Sequence, residues 1–556
     1  MCAPCVGKSM MRQGTTVSIL NASILPLPAG GAARETPNLE APPGSIGLCL
    51  SGGGSRALTC AMGQLRALHC LGLMDRVFAI SSVSGGTWAN SLYTYLPASV
   101  SDSDFLGEAV LDPSKLTEFG SLPYALDQLT PYNLGRVPGR LGVLRDIDEI
   151  LRLRDEWGYP TSELWQGLIG HSVLRAYGLW QPDASSGYFD RHFFSWTDSF
   201  LQLPNGTLAR NPALGTADFY TVQRSRPFMV FNTSMFTNDS TTADLVPYEA
   251  NFMLGVRQAF PDNGKAVIGG GFLSSMALAG TYLEDLGSND ISVAAPDRRY
   301  TLADIVGCSS AAFAQDLEET YPELEGVVPR YNYFPIINRA SVPARIYRFA
   351  DGGCLENLGL NVMLARGVSR ILVGINTDEG LRMENGEIVV SSDLPPLFGL
   401  QPYVSGKGYV PYSQDPGVGA VRLFRHNQVF PSSSFPQLQQ ALWARRSNGL
   451  PVVVRQTLNT LSNGWFGVPG GASVDILWMY NDKVEAFWKQ LSWEVRAAID
   501  LAGDLAFPLY NTFTQLELDA TAVNALAHLW CWNLAADWRP PGGGQSNADV
   551  VRGMFK

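Results

Sequence analysis

Histidine is scarce in this 556-residue chain: there are five, at 69, 171, 192, 426 and 528, and none falls in a loop that follows a predicted strand. Chemistry that needs a histidine base at a strand end therefore lacks its usual residue. Charge is sparse as well. Only 16% of residues are charged, and 51 acidic against 40 basic residues give a formal net charge of −11. That balance excludes nucleic acid as the main partner, and contact with an anionic membrane would need a local basic patch. No apolar run reaches the roughly 18 residues of a membrane span, so no transmembrane helix is predicted. Eight cysteines, at 2, 5, 49, 60, 70, 308, 354 and 531, have neither paired zinc-ligand spacing nor the density of a disulfide scaffold. Cys2 and Cys5 form a C-x-x-C with no second pair and read as free thiols. Residues 15–33, after Lys8 and Arg12, have the outline of a signal peptide, but Asn21, nearby serines and Pro26 interrupt its apolar core. The expected setting is the cytoplasm.

What is present is apolar. Hydrophobic residues make up 46% of the chain and aromatics 11%, enough for a sizeable core and far from a disordered composition. Residues 1–44 are rich in Pro, Gly, Ala and Thr without periodicity and read as an N-terminal arm. SIGLCL at 45–50 is a short buried-strand candidate ending in Ser51-Gly52-Gly53-Gly54. The segment that follows has Leu58, Met62, Leu65 and Leu68 at near-helical spacing and Gly72 as its stop. RVFAIS then predicts a second strand, which delivers Ser84. Strand, glycine loop, helix, strand, serine turn and helix make one βαβ unit, with both loops at one edge of a parallel sheet.

Farther on, 100–260 is irregular and reads as an insertion over that edge, with a helical piece VLRDIDEILRLRDEW. TLADIVGCSSAAFAQDL carries a capping-box variant at Thr301 and Asp304. Residues 344–378 read as strand, Asp-Gly-Gly turn, helix and buried strand ILVGI. Eight of the thirteen tryptophans lie between 443 and 538 and are expected mainly in packing. A second triple glycine, Gly269–Gly271, reads as a turn.

Ser82-Val83-Ser84-Gly85-Gly86 has the small residues of a strand-to-helix nucleophile elbow, with Ser82 where the first glycine usually stands. An ordinary turn with an N-cap serine explains the stretch equally well. The glycine loop has three readings. G-G-G-S-R-A fits a loose dinucleotide fingerprint, but Asp75 precedes the next strand instead of ending it. A phosphate loop needs G-K-S or G-K-T. An oxyanion hole, built from backbone N–H groups at a glycine turn opening a helix, explains the loop together with the serine. For the base, Asp351 directly follows the strand RIYRFA and precedes two glycines, which brings its carboxylate to the same edge; desolvation would raise its basicity. The alternative is a common Asp-Gly-Gly turn.

The stretches SGGGSRA (51–57), LGLMDRVFAISSVSGGTWANSLYTYL (71–96), VPYEANFMLG (246–255), GCSSAAF (307–313) and DGGCLENLGL (351–360) occur together and in order. With them the chain resembles the group IV cytosolic phospholipase A2 family and, more distantly, the patatin-like lipid acyl hydrolases. The resemblance runs from 45 to about 380 and fades after about 400. It implies an α/β protein with a three-layer α/β/α core and a cap or lid. The corresponding division is an arm at 1–44, a catalytic domain at 45–500 with its cap at about 100–260, and an extension at 501–556. It further implies a Ser-Asp dyad without histidine: Ser84 as nucleophile, Asp351 as base, Gly52, Gly53 and Gly54 around the oxyanion, and Arg56 near the lipid phosphate. The implied partners are a phospholipid or lysophospholipid and, transiently, a membrane or micelle surface. A transacylase using the same acyl-enzyme, or an inactive lipid-binding relative, keeps the same pattern. No cofactor or metal is expected: Ser101-Asp-Ser-Asp104 lacks the glycine and glutamate of a calcium loop, and 44 residues leave no room for the family's calcium-binding C2 domain.

Overall fold

The computed structural model describes residues 18–27, 40–181, 190–237, 244–262, 266–296 and 298–556. Cys2, Cys5 and most of the leader-like segment lie outside them. Short apolar runs punctuated by glycine become the centre of one 14-stranded sheet. In chain order its strands are β1 (Ile19–Pro26), β2 (Ile46–Leu50), β3 (Ala79–Val83), β4 (Phe228–Phe236), β5 (Leu245–Ala250), β6 (Met253–Asp262), β7 (Ala266–Ser274), β8 (Thr281–Gly287), β9 (Asp290–Ala294), β10 (Arg330–Tyr333), β11 (Arg345–Asp351), β12 (Arg370–Ile375), β13 (Val453–Asn459) and β14 (Ser473–Tyr480).

Strands β4, β3, β2, β12 and β14 run parallel side by side. Every residue of β2 and β3 is buried, as a parallel strand covered on both faces requires. The coverage follows from alternation along β2. Leu48 and Leu50 join a core shared with the helices α1 (Gly54–Cys70), α2 (Gly85–Thr94) and α8 (Ala520–Ala535), whereas Cys49 joins a second core with α5 (Leu360–Ala365) and α6 (Phe435–Ser447). Helices thus lie on both faces of the sheet, giving the expected three-layer α/β/α architecture. Beyond β4 the sheet continues antiparallel through β5, β6, β7, β1 and β9 to β8. No helix of the described residues is long and apolar enough to cross a membrane.

The structure draws several boundaries differently from the sequence pattern. The presumed arm contributes β1, paired with β9 and β7. The insertion ends before 228, because β4 onward is sheet; residues 100–227 hold short helices, among them Val143–Asp155 and Leu164–Ile169. The latter docks on α3 (Leu302–Ser309) through Trp165 Nε1, which donates to the Gly307 carbonyl at 2.9 Å. The presumed extension supplies α8, which lies directly on α1: a β-carbon at Gly63 would come 2.5 Å from the Ala527 carbonyl oxygen. Gly269–Gly271 is no turn but part of β7, with φ values of 80°, 75° and 144° opposite an irregularity in β6.

Candidate active site

Ser84 stands between β3 and α2 with φ 49° and ψ −122°, a backbone conformation that a non-glycine residue rarely adopts. The turn is tight because two loops interlock there. A β-carbon on Gly85 would lie 2.1 Å from the Gly54 carbonyl oxygen, and one on Gly86 2.3 Å from that of Leu50. Only glycine permits this approach. Ser82, where the usual first glycine is absent, is accommodated in a buried network: its hydroxyl accepts from Asn90 Nδ2 at 3.0 Å and Thr87 Oγ1 at 3.1 Å.

Asp351 reaches Ser84 by an unexpected route. β3 pairs in parallel with the first half of β4, ending at Val83 opposite Asn232, while β11 pairs antiparallel with the second half, ending at Asp351 opposite Thr233. The carboxyl ends of two strands therefore abut on consecutive residues of β4. The Ser84 side chain stands beside the Asp351 carboxylate, close enough to hold its pKa down. The Gly353 N–H donates to the same carboxylate at 2.7 Å, and that of Ala312, the first residue of α4 (Ala312–Thr320), at 3.4 Å. A carboxylate at a helix N-terminus is favourably placed in the helix dipole. Asp351 is only 3% exposed. Burial pushes its pKa up to about 6, and Gly353, Ser84 and Ala312 limit the rise.

Ser309, at the end of α3, fixes the elbow from the other side. The Ser84 N–H donates to both the carbonyl and the hydroxyl oxygen of Ser309 at 3.1 Å, and the Ser309 hydroxyl donates to the Asn232 carbonyl at 2.6 Å. Neither Ser309 nor Ala312 carried a chemical signal in the sequence beyond membership of the run 307–313. Asn357 was equally silent. Its Oδ1 lies where β-carbons on Gly52 and Gly353 would be, at 2.2 and 2.6 Å, so its side chain wedges between the glycine loop and the aspartate turn. Its Nδ2 is held by Asp393 at 3.1–3.2 Å.

The glycine loop divides. Gly52 N–H already donates to the Asn357 carbonyl at 3.1 Å, which removes it from the expected set of oxyanion donors. Gly53 (φ 128°) and Gly54 (φ 51°) open α1, and among the described residues their N–H groups have no partner. Arg56 is no surface cation: Nε donates to the Asn376 carbonyl at 2.7 Å, Nη1 to the Tyr510 carbonyl and to Thr512 Oγ1 at 3.3 Å, and Nη1 lies 3.3 Å from Asp378. Burial draws its pKa below the usual value against the pull of Asp378. Among the described residues Nη2, beside Gly53, has no hydrogen-bond partner.

None of the five histidines is joined to this pair. His69 meets the Tyr93 hydroxyl, His171 Glu149, His192 Asp190, His426 stacks on Trp465 and His528 faces Arg66. Asp75 sits in an exposed turn past the far end of α1, about 25 Å of helix from the glycine loop, which disposes of the dinucleotide reading. Asp102 of the Ser-Asp-Ser-Asp stretch pairs with Arg224 and Arg226. Among the described residues no group of three or more His, Cys, Asp or Glu could hold a metal. The arrangement offers a strained, half-buried hydroxyl, a buried carboxylate able to take its proton, and two free amides at a helix start.

No family model matches the chain. Two human proteins are similar to it over 132 residues, 23% of this chain: cytosolic phospholipase A2 delta, 34% identical over 14% of its own length, and cytosolic phospholipase A2 beta, 32% identical over 15%. The match thus spans about a seventh of the length of these curated relatives. Among solved structures, human GIVD cytosolic phospholipase A2 aligns with 92% of this chain and 60% of that chain, at 13% identity and a TM-score of 0.43. The same protein in complex with methyl gamma-linolenyl fluorophosphonate aligns over 92% and 58%, at 14% identity and a TM-score of 0.38.

Proposed function

Taking as premise that the chain is cytosolic phospholipase A2-like over those 132 residues, we propose that it is a serine lipid acyl hydrolase of the phospholipase A2 or lysophospholipase type. The observation that carries the reading is that the strand ends of β3 and β11 abut on Asn232 and Thr233 of β4, which sets Ser84 beside the buried Asp351 with no histidine joined to either. Ser84 Oγ attacks the ester carbonyl as its proton passes to Asp351. The tetrahedral oxyanion is held by the Gly53 and Gly54 N–H groups. Collapse breaks the acyl–oxygen bond, and Asp351 returns the proton to the departing lysophospholipid or glycerophosphodiester. Water then attacks the acyl-serine, gives its proton to Asp351, and free fatty acid leaves as Ser84 is reprotonated.

Asp351 suits the role because burial raises its proton affinity toward the working pH. Arg56, whose Nη2 has no partner among the described residues, offers one donor toward a lipid phosphate near Gly53 and otherwise braces the loop. The reading carries with it a cytoplasmic setting, in keeping with the free thiols among the described cysteines, and transient contact with a lipid surface. The test is labelling with a fluorophosphonate probe, with the modified residue mapped by mass spectrometry and phospholipid turnover followed in parallel. Labelling of Ser84 with release of fatty acid supports the hydrolase. Labelling with acyl transfer to an added alcohol makes it a transacylase, and an unlabelled, folded protein that still binds lipid removes the catalytic reading.

A further inference from the structure

Large apolar side chains left in water cluster in two stretches of this chain, 119–132 and 493–513, and the second adjoins the candidate site. Trp493 is 70% exposed, Leu501 86%, Leu505 72% and Phe513 59%. Helix α7 (Trp493–Ala502) explains the first two: Val495 and Ile499 turn inward, while Trp493, Ala497 and Leu501, four residues apart, share the outer side. Leu505 is turned outward at some cost. It and Asp504 have φ values of 61° and 48°, a conformation that strains a leucine, and its N–H is held by the Asp500 carbonyl at 2.9 Å. A fold gains nothing from straining a leucine into solvent, so the exposure points outward to a partner.

The stretch leads directly to the candidate site. Tyr510 and Thr512 are the residues that grip Arg56, and Thr512 Oγ1 donates to the Gly53 carbonyl at 2.6 Å, with exposed Phe513 next in the chain. Gly503, at the end of α7, also packs against Tyr510, so the turn after α7 adjoins the segment that holds the glycine loop. The charges of the stretch select among lipid surfaces. Between 493 and 519 stand Glu494, Asp500, Asp504, Glu517 and Asp519 against Arg496, and although Arg145 pairs with Glu517, the surround is acidic. Anionic lipid would be repelled by it.

We propose that Trp493, Leu501, Leu505 and Phe513 form the face by which this protein seats on a zwitterionic phospholipid bilayer, bringing the glycine loop to the lipid surface. The proposal rests on the lipid-hydrolase reading for its choice of occupant, but it is tested separately. The full chain is floated with phosphatidylcholine vesicles, alone and with a third of the lipid replaced by phosphatidylserine, and compared with Leu501→Asp/Leu505→Asp and with Ala497→Glu. All three positions are exposed, and a thermal melt checks that the fold is kept. The wild type should float with phosphatidylcholine, float less with phosphatidylserine, and lose about tenfold or more of its partitioning in the double variant, since each leucine forfeits its burial. Ala497→Glu should weaken binding in the same direction, and hydrolysis of a water-soluble short-chain ester should not change. Equal flotation of wild type and variants, no flotation of the wild type, or a gain with phosphatidylserine overturns the proposal. So does a wild-type dimer that the double variant splits, which would make the face a contact between copies of this chain. Vesicle binding that behaves as expected beside an unreactive Ser84 would leave the docking face standing and remove the hydrolase.

Discussion

At Ser84 and Asp351 the expected chemistry and the local cost of structure are tied together. Ser84→Ala and Asp351→Asn should each lower phospholipid turnover roughly a thousandfold or more, and Ser84→Ala should abolish fluorophosphonate labelling while the thermal melt persists. With a carboxyl pKa raised to about 6, kcat/KM should climb as pH rises through 6 and level off above it, because the base must be ionised. Stability should move the opposite way. The folded protein holds this proton more tightly than the unfolded chain, so stability is lost as pH rises from about 4 to about 6, by about 3 kcal/mol in total for this group. Denaturant titrations of wild type and Asp351→Asn at pH 4 and pH 8 check the sign: the variant should gain relative to wild type at the higher pH. The tight turn at Ser84 was legible because small residues crowd it, whereas Ser82 in place of the first glycine weakened the pattern, and only the structure shows its hydroxyl absorbed between β3 and α2. The commitment of the Gly52 amide to Asn357 was not legible, because the acceptor comes from a distant part of the chain.

Elements meet at the site through contacts that leave no room for a methyl group. Gly85→Ala would set a β-carbon 2.1 Å from the Gly54 carbonyl oxygen and 2.7 Å from its nitrogen, both main-chain atoms that cannot swing aside. The expected result is a destabilisation of about 1–3 kcal/mol in chemical denaturation together with loss of fluorophosphonate labelling, in contrast to Ser84→Ala, which should keep its stability. The parallel strands β2, β3 and β12 could be read directly, since short apolar runs between glycine turns belong in the middle of a covered sheet. The direction of β11 could not. RIYRFAD reads as a strand whichever way it pairs, and its antiparallel partner β4 is set by the whole sheet. The same holds for Gly269–Gly271: three glycines suggest a turn locally, and only the flanking ladders of β6 and β1 keep them within the sheet.

For the whole molecule the decisive surface is the one between α1 and α8. The run ATAVNALAHLWCWNLA is mostly apolar, and every residue from Ala522 to Ala535 is buried, with Asn524 satisfied by the Leu126 and Gln128 carbonyls and His528 by Arg66. That pattern was available in the sequence, but nothing local ties it to α1, and residues 501–556 read as an extension. α8 covers the helix that the glycine loop opens, with Trp530 against Gly63 and with Thr512, just upstream, on the Gly53 carbonyl. A chain ending at residue 500 would leave the outer side of α1 in water and free the loop from Thr512. It should therefore lose the cooperative thermal transition of the full chain and show no labelling at Ser84. A sharp melt and normal labelling in the shortened protein would instead make residues 45–500 a self-sufficient catalytic unit and reduce α8 to a covering. The close approach at Gly63 argues against that outcome, because glycine is needed there only if the two helices are built to touch.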